Sequence, residues 1–595
     1  MTLRWLEAAF SETHLTKDSL RALKQDTQIG PGQKEQEMGD GKRTESLSSE
    51  RELKVLIEGT MKSSRDPSDA DARYSSRKRA IKVAVVGSGL AGLTTVWLLM
   101  RKLEEERKQG RIVEVHLFEK APSIGFFSNS LDVPLSSPKP GGKQTWAVDV
   151  PMRSFQGGYY PRLIAMYRSL GISISPTSFS YSFSHHIPLT THFIHSGASG
   201  LSIPALPTTS SPFSFTRALL RLLGYALGYV YLLILTIWYS WTGMGGGEVG
   251  DWMRRTGKHT WGSLIGSAWE GFIKEIVFSL FGAVATCSDA EIERMDVGLI
   301  FDYIYLTLFT SHYTVPSNSS SISQALLSAL PRSHIHLNTT ITGLHRSFSQ
   351  NSTTLVVKDS TDSGSERVLE DFTDVVFATQ ANQAKVLLKG FLDELTEADR
   401  ETDKKGEIEM LREVEQSLGE FKYVPAIVVN HRSPIVLPAH PADIKDINLV
   451  RPSPDFHPDS YSPSSPSAGR DGKDWKSNTD VPFFDPADGK IYTMATHVVQ
   501  SPVKDESPVF QTTNPIVPIP KEMVLSVSQL ERALPTRESA AIVSRFRPSH
   551  PLSFQGFAGV WFTGAYAFKG IPLLEGCVAS AMGIVDGKNG ILDRD

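Results

Sequence analysis

Hydrophobic and polar positions fall into blocks along this chain, and the blocks predict where folded structure begins. Residues 1–79 are polar and charged with little periodicity, so we predict a disordered tail. Ile81–Val86 is a short, apolar, β-branched run, which is typical of a buried parallel strand. The pattern then predicts a helix over 90–108 and a second strand over 111–118. Strand, helix and strand in this order indicate a βαβ unit.

The rest of the chain shows weaker periodicity. It predicts helices over 161–170, 321–330 and 572–585, and strands over 334–339, 353–358, 374–378 and 560–563. A stretch rich in Ser, Pro, Asp and Gly covers 452–479, and we predict that it is disordered.

The glycines between the first predicted strand and helix read Gly87-Ser88-Gly89-Leu90-Ala91-Gly92, which is G-x-G-x-x-G. The first glycine permits a tight turn, the second lets the backbone approach a pyrophosphate, and the third lets the helix pack on the strand. Free N–H groups at the start of a helix attract phosphate. The motif therefore predicts a dinucleotide site, although FAD and NAD both use it.

The end of the second predicted strand carries Glu119, with Lys120 beside it. A carboxylate at this position can hold the ribose hydroxyls of a dinucleotide. The interval from Gly89 to Glu119 exceeds the usual ~20 residues, and an extra charged turn over 103–110 accounts for most of the difference. We predict that Glu119 and Lys120 belong to the cofactor site.

The composition narrows the class of protein. The chain has 595 residues and a net charge of −4, and we predict no nucleic-acid partner because such proteins usually carry a basic excess. Cys287 and Cys577 are the two cysteines, so neither a disulfide framework nor a cysteine-based zinc site is available, and we predict no metal. No secretory signal is visible, which indicates an intracellular protein.

Four stretches carry a resemblance to a known family. They are the glycine turn with Glu119, residues 148–171, residues 374–384 and the C-terminal segment 561–580. With them the chain resembles the flavin-containing amine oxidase superfamily, most closely its branch of predicted NAD/FAD-binding proteins. The resemblance implies FAD and an α/β fold, with a Rossmann-like domain of the glutathione-reductase type and an interleaved α+β substrate domain.

The resemblance also implies site residues. The C-terminal motif would set a helix N-terminus against the flavin, with Pro572 early in that helix and with Gly564 and Ala565 in the approach. Three residues follow a strand that nears the flavin in the superfamily: Arg153, Gln156 and Tyr159.

One position departs from the family pattern. Related flavoproteins usually carry a second glycine shortly after the ribose-binding acid, whereas here Phe126 follows Gly125. A phenylalanine at this point is expected to crowd the pyrophosphate or the flavin, which puts affinity and activity in doubt.

These features together predict the domain organisation. It comprises a charged tail over 1–79, three parts of a FAD-binding domain over 80–180, 321–390 and 556–595, a helical region over 181–320, and a substrate domain over 391–555 that contains the 452–479 loop.

The apolar run Leu222–Trp241 carries no charge and has the length of a membrane span, which is about 20 residues. A single crossing would separate the glycine turn from the C-terminal helix, and these should close around one cofactor. Attachment to a membrane surface, a hairpin and a buried core helix stay open, and we favour attachment. A membrane-bound protein of this kind suits an apolar substrate.

No catalytic residue can be named from the sequence. His185 and His186 are predicted to be a solvent-facing loop pair. The favoured function is a FAD-dependent oxidoreductase that oxidises a C–N or C–C bond of an apolar amine or lipid by hydride transfer to the flavin. The alternatives are a membrane-associated flavin-binding or degenerate protein without turnover, and a nicotinamide-dependent reductase.

Overall fold

The part of the chain that the structure describes begins where the sequence first becomes apolar. This computed structural model describes residues 81–126, 129–135, 145–186, 189–195, 204–208, 211–316, 318–348, 350–360, 365–395, 405–454, 481–503 and 506–593. The predictions for the tail and for nearly all of the 452–479 loop lie outside these residues.

The chain divides into two units. One comprises 77–237 and 244–595, and the other comprises 1–76 and 238–243, of which 238–243 are described. All described helices and strands lie in the first unit, except that one helix runs into 238–243. The domain boundaries predicted from the sequence stay predictions.

The strands of the described residues are, in chain order, β1 Ile81–Val86, β2 Val113–Phe118, β3 Leu131–Pro134, β4 Thr145–Val148, β5 Ser154–Gln156, β6 Ser175–Thr177, β7 Tyr181–His186, β8 Thr190–His195, β9 His312–Thr314, β10 Ile335–His336, β11 Thr339–Ser347, β12 Ser352–Asp359, β13 Glu366–Phe372, β14 Asp374–Phe377, β15 Tyr423–His431, β16 Ile447–Pro452, β17 Met494–Val499, β18 Val509–Thr513, β19 Val524–Ala533 and β20 Val560–Phe562.

The α-helices of the described residues are α1 Leu90–Lys108, α2 Pro161–Ser169, α3 Pro212–Thr242, α4 Val249–Phe272, α5 Phe278–Ala285, α6 Asp289–Arg294, α7 Val297–Thr307, α8 Ser319–Leu327, α9 Ala381–Asp393, α10 Lys405–Leu418, α11 Arg537–Val543 and α12 Leu574–Asp586. A π-helical turn, Ile273–Val277, joins α4 to α5.

A five-stranded parallel sheet, in the order β10-β2-β1-β14-β20, confirms the predicted α/β fold class. Val83 and Val85 of β1 pack into a core with residues of α1 and α12, whereas Ala84 and Val86 pack into a second core with residues of α9 and α10. Successive side chains of a strand point to opposite faces, and both faces are buried here. This is why β1 is apolar without interruption from Val83 to Val86.

The predicted strand over 334–339 is wrong as one element. Asn338 takes a positive φ of 53°, which breaks the extended backbone between β10 and β11. The two parts then join different sheets, because β10 pairs with β2 and β11 pairs with β12. The second sheet, β11-β12-β13, also contains strands that the hydrophobic pattern did not predict.

A separate seven-stranded sheet has the order β19-β15-β18-β17-β16-β7-β8, and its strands interleave along the chain with those of the parallel sheet. Its neighbours pair antiparallel except for β16 and β7, which are parallel. Strands from before and after α3 thus lie in one sheet. This arrangement brings residues from both halves of the chain to a common sheet face.

Candidate active site

The glycine turn has the geometry that its sequence predicts. Gly87 has a φ of 102°, and a Cβ on Gly92 would lie 2.0 Å from the carbonyl oxygen of Gly87. Side chains larger than hydrogen are therefore excluded at Gly92, where α1 packs against the turn. A Cβ on Gly89, in contrast, would meet no protein atom within 4 Å. The protein leaves this space open, and Gly89 lines a cavity.

Glu119 lies behind this turn. Its Oε2 accepts hydrogen bonds from the backbone N–H of Ser88 at 2.9 Å and from the Ser88 hydroxyl at 2.5 Å, and its Oε1 accepts one from the N–H of Ala121 at 3.0 Å. The Ser88 hydroxyl oxygen in turn accepts from the N–H of Gly125 at 2.7 Å. A carboxylate has about four acceptor positions, so Glu119 retains capacity for a further donor.

The other residues predicted from the glycine motif are placed differently. Leu90 lines the large cavity described below together with Gly89. Ala91 is buried inside α1, and the side chain of Lys120 is exposed. The structure therefore does not bring Lys120 to the cavity.

The C-terminal turn packs closely against the helix that follows it. A Cβ on Gly576 would lie 2.8 Å from the carbonyl oxygen of Ala565, and the N–H of Gly564 donates to the Ser580 hydroxyl at 3.0 Å. Ala565 lines the cavity. The prediction that Pro572 occupies an early helical position is wrong, because α12 begins at Leu574 and Pro572 precedes its N-cap.

A single cavity of about 870 Å³ extends from the glycine turn to the seven-stranded sheet. One face of that sheet forms a wall of the cavity, through alternate residues of its strands. They are Tyr181 and Phe183, Phe193 and His195, Ala426 and Val428, Ile447 and Leu449, Gln511 and Thr513, and Leu530 and Arg532, with His497 from β17.

The opposite side of the cavity is helical and mostly apolar. It includes Tyr225, Ala226 and Tyr229 from α3, Ile276 from the π-helical turn, and Tyr303 from α7. Further residues on this side come from 272–285 and 297–308, which are largely helical.

Two arginines line the cavity without a carboxylate partner among the described residues. The guanidinium of Arg153 donates to the carbonyl oxygen of Phe126 at 2.5 Å, and its buried Nε has no hydrogen-bond partner. Burial lowers the pKa of both Arg153 and Arg532 from the ordinary value. A buried cation left without an anion is costly, so the arrangement fits an anionic group of a ligand.

Phe126 has a defined packing position next to the glycine turn. It is 5% exposed, its ring lies 4.0 Å from the guanidinium carbon of Arg153, and it lines the cavity. Its backbone N–H donates to the carbonyl oxygen of Ser88 at 3.2 Å, beside the glycine turn. The phenylalanine that replaces the second glycine therefore holds Arg153 by a cation–π contact.

Of the three residues that the family resemblance places near the flavin, two line the cavity and one does not. Arg153 and Gln156 form part of its wall, and the Oε1 of Gln156 is buried without a partner. Tyr159 instead accepts a hydrogen bond from the N–H of Ile571 at 2.8 Å, below the C-terminal turn. Its role in the structure is to support that turn.

Sequence reasoning did not find Gln511, which ties the sheet to the loop that carries Arg153. Its Nε2 donates to the carbonyl oxygen of Asp149 and to Oδ1 of Asn430, each at 3.0 Å. Its Oε1 accepts from the N–H of Met152 at 2.5 Å. No local signal marks this glutamine, because its partners come from distant parts of the chain.

His312 and His497 were also not predicted, and both line the cavity. The Nδ1 atom of each ring is buried and has no hydrogen-bond partner. Burial lowers the pKa of each imidazole to about 4, so both rings are neutral near pH 7. The unpartnered Nδ1 of each neutral ring can donate to or accept from a molecule in the cavity, depending on the tautomer.

The prediction that His185 and His186 form a solvent-facing loop pair is wrong. Both lie in β7, and His185 is buried with its ring stacked on His192, centroids 4.2 Å apart. The carboxylate of Glu275, in the π-helical turn, approaches both rings within 4.0 Å and accepts a hydrogen bond from the Tyr225 hydroxyl. Pairing of β7 with β8 and β16 buries these histidines.

Comparison with known proteins bears on the first part of this site. Residues 85–170 match the family described as NAD(P)-binding Rossmann-like domain. The chain contains a Rossmann-like dinucleotide-binding domain. The matched residues of this Rossmann-like domain include the glycine turn, Glu119, Phe126 and Arg153.

Two solved structures are similar to this chain. One is cyclohexylamine oxidase from Brevibacterium oxydans IH-35A, at 11% identity, covering 85% of this chain and 97% of that one, with a TM-score of 0.47. The other is an oxidoreductase from Methanosarcina mazei, at 13% identity, covering 84% and 99%, with a TM-score of 0.46. No curated protein matches the chain.

Proposed function

We propose that this chain is a FAD-dependent oxidoreductase of amine-oxidase-like type, which oxidises a C–N or C–C bond of an apolar substrate. The observation that carries the proposal is the continuity of the cavity. It begins at Gly89 and Gly125 of the Rossmann-like domain and widens into an apolar chamber against the seven-stranded sheet. A cofactor lying along the glycine turn can thus meet an apolar molecule without leaving the protein.

The residues present fit FAD. The open space at Gly89 and the free N–H groups of α1 suit the diphosphate, and Glu119 retains an acceptor position for a ribose hydroxyl. Arg153 and Arg532 supply buried positive charge, and neither forms an ion pair with a carboxylate among the described residues. Bound there, FAD would supply the hydride acceptor, and the protein supplies position and electrostatics.

The chain's own residues would also exclude water from the reacting bond. Phe183, Phe193 and Leu449 form the sheet wall of the chamber, and Phe272 and Tyr303 form part of the helical side. Such surroundings have a low dielectric constant, and electrostatic interactions with Arg153 are stronger in them than in water.

We also propose that α3 attaches the protein to a membrane surface. An 18-residue window within α3 has a mean hydropathy of 1.9, and 11% of this window is buried. A stripe of apolar side chains is exposed: Leu220 at 65%, Leu223 at 55%, Leu227 at 73%, Val230 at 54% and Ile234 at 58%. Tyr225 and Leu232 on the other side of the helix are buried.

The arrangement of α3 supports attachment and speaks against a full crossing. Tyr225 contacts the rings of Phe193 and Phe272, so α3 packs on elements of the unit that contains both sheets. Those elements precede and follow α3 along the chain. Its exposed stripe is then available for the outer part of a bilayer, as in an interfacial helix.

Cofactor binding is tested on the full chain purified in detergent. We expect flavin absorption bands, and FAD in the chromatogram of the supernatant after denaturation. The absence of flavin even after incubation with excess FAD would overturn the proposal in favour of a protein without flavin turnover. Release of NAD or NADP instead would favour the nicotinamide-dependent alternative.

Membrane attachment is tested by co-sedimentation with phospholipid vesicles. Burying one leucine side chain is worth roughly 1.5–3 kcal/mol, so Leu227→Asp should lower vesicle binding at least tenfold. Val368→Asp is the matched control, because Val368 is an exposed apolar residue, at 57%, on the separate sheet β11-β12-β13. Equal vesicle binding by the Leu227 variant and the wild type would remove the basis for attachment.

A further inference from the structure

We infer that the substrate end of the cavity binds an uncharged long-chain lipid through an oxygen-bearing head group, with His497 as the residue that contacts this oxygen. The inference rests on the proposed function and deepens it, because that proposal leaves amine and lipid substrates open. It assigns the chemical class of substrate and one specificity-determining residue.

The charges around the cavity disfavour a protonated amine. Among the described residues that line it, Glu531 is the carboxylate, and its side chain is exposed and accepts a hydrogen bond from Asn382 at 3.1 Å. The cations are Arg153 and Arg532. An ammonium group transferred from water into this chamber would lose its hydration and gain no buried carboxylate.

His497 offers the contact that an uncharged oxygen requires. Its Nδ1 is buried without a partner and its ring forms part of the cavity wall. A hydroxyl or carbonyl oxygen that bonds to this ring satisfies a polar atom that the fold leaves unsatisfied, which is worth more in an apolar cavity than in water.

The register of the sheet fixes where His497 stands. His497 pairs with Ile447 on one neighbouring strand and with Gln511 on the other, and Ile447 pairs with Tyr181. These four residues form one row across the sheet. Gln511 has its hydrogen bonds satisfied by Asp149, Met152 and Asn430. In this row, the Nδ1 atom of His497 is therefore available to hydrogen-bond a ligand.

The rest of the chamber indicates a long apolar chain. Aromatic and aliphatic side chains dominate the wall around this row, among them Phe183, Phe193 and Leu449. Helix α3 contributes Tyr225, Ala226 and Tyr229 to the cavity, together with Val230 of the exposed stripe. Because the proposed membrane-facing stripe lies on the same helix, a molecule held in the bilayer has a short route to the chamber.

The inference is tested by equilibrium binding of tritiated dodecanol and tritiated dodecylamine to the full chain at neutral pH, where the amine is protonated. We expect dodecanol to bind at least about tenfold more tightly, which is the worth of one to two hydrogen bonds. Equal or tighter binding of dodecylamine would overturn the inference.

Variants separate the role of His497 from a loss of folding. His497→Leu should weaken dodecanol binding about tenfold, whereas His497→Asn, whose amide can still hydrogen-bond, should retain part of the affinity. Val498→Ala is the matched control, because Val498 follows His497 in β17 but packs in the core on the opposite face and does not line the cavity. This variant should leave the preference for the alcohol unchanged. Unchanged dodecanol affinity in His497→Leu would overturn the assignment.

Cofactor content is measured separately, by absorbance of the same preparations. A preference for the alcohol in protein that takes up no FAD would support the lipid site while refuting the proposed oxidoreductase. A preference for the amine in protein that holds FAD would refute the lipid site and leave the oxidoreductase standing.

Discussion

Substituting alanine for Gly92 should lower stability, whereas substituting alanine for Gly89 should lower cofactor affinity. This contrast tests whether the glycine turn binds a ligand. In Gly92→Ala the new Cβ would lie 2.0 Å from the carbonyl oxygen of Gly87 and 3.2 Å from the Cβ of Ala378. Backbone must move by more than 1 Å to relieve a contact of this kind, and overpacking costs about 1–3 kcal/mol or more. In Gly89→Ala the new Cβ meets no protein atom within 4 Å, and the backbone φ of −67° suits alanine.

We therefore expect Gly92→Ala to lower the free energy of unfolding by about 3 kcal/mol, a large share of the 5–15 kcal/mol typical of folded proteins. Gly89→Ala should keep the unfolding free energy of the wild type within about 0.5 kcal/mol. Its methyl group occupies the space where a pyrophosphate would approach, so its FAD affinity should fall about 10- to 100-fold.

The assay combines chemical denaturation, followed by circular dichroism, with titration of cofactor-free protein by FAD, followed by flavin fluorescence. Gly583→Ala is a suitable control because it lies in α12, where the nearest atom to a new Cβ is 3.9 Å away. Wild-type FAD affinity in Gly89→Ala would refute the reasoning, since the open space would then serve no ligand.

Three further predictions concern charge and packing. Arg153→Met should leave the stability of the cofactor-free protein unchanged or higher, because the substitution removes a desolvated charge. The free energy of FAD binding should become less favourable by about 2 kcal/mol. A lower melting temperature of the cofactor-free variant in thermal unfolding would contradict this reasoning. Glu575→Ala should lower the free energy of unfolding by about 1–3 kcal/mol. The buried Glu575 carboxylate accepts hydrogen bonds from the N–H groups of Arg162 and Leu163 at the start of α2, and the variant loses both. An unchanged midpoint of denaturant unfolding would contradict the argument. Burial lowers the pKa of His312 and His497 from 6.5 to about 4, so the unfolded chain binds more protons between these values. The free energy of unfolding should be at its full value above about pH 6.5 and should fall towards pH 4, by up to about 3 kcal/mol for each histidine. The measurement is denaturant unfolding at a series of pH values. An equally steep loss of stability in the variant His497→Leu would contradict the assignment to that residue.

The local pattern determined the first βαβ unit and its glycine turn. The bounds of β1 and α1 follow from Ile81–Val86 and from 90–108, as predicted. Both signals are contained within a few residues, since a strand buried on both faces is apolar throughout and a tight turn before a helix needs glycine where other side chains clash. The predicted FAD site around this turn stays a prediction, apart from the Rossmann-like domain itself.

Tertiary structure alone decided which side chains face the cavity. His497, Gln511 and Tyr181 belong to one row across the sheet, yet they lie on strands far apart in sequence. A one-residue change of register would turn each of them to the opposite face, and nothing within a single strand specifies its partners. The same reason explains His185, whose buried position depends on β8 and β16 and not on its neighbours in the chain.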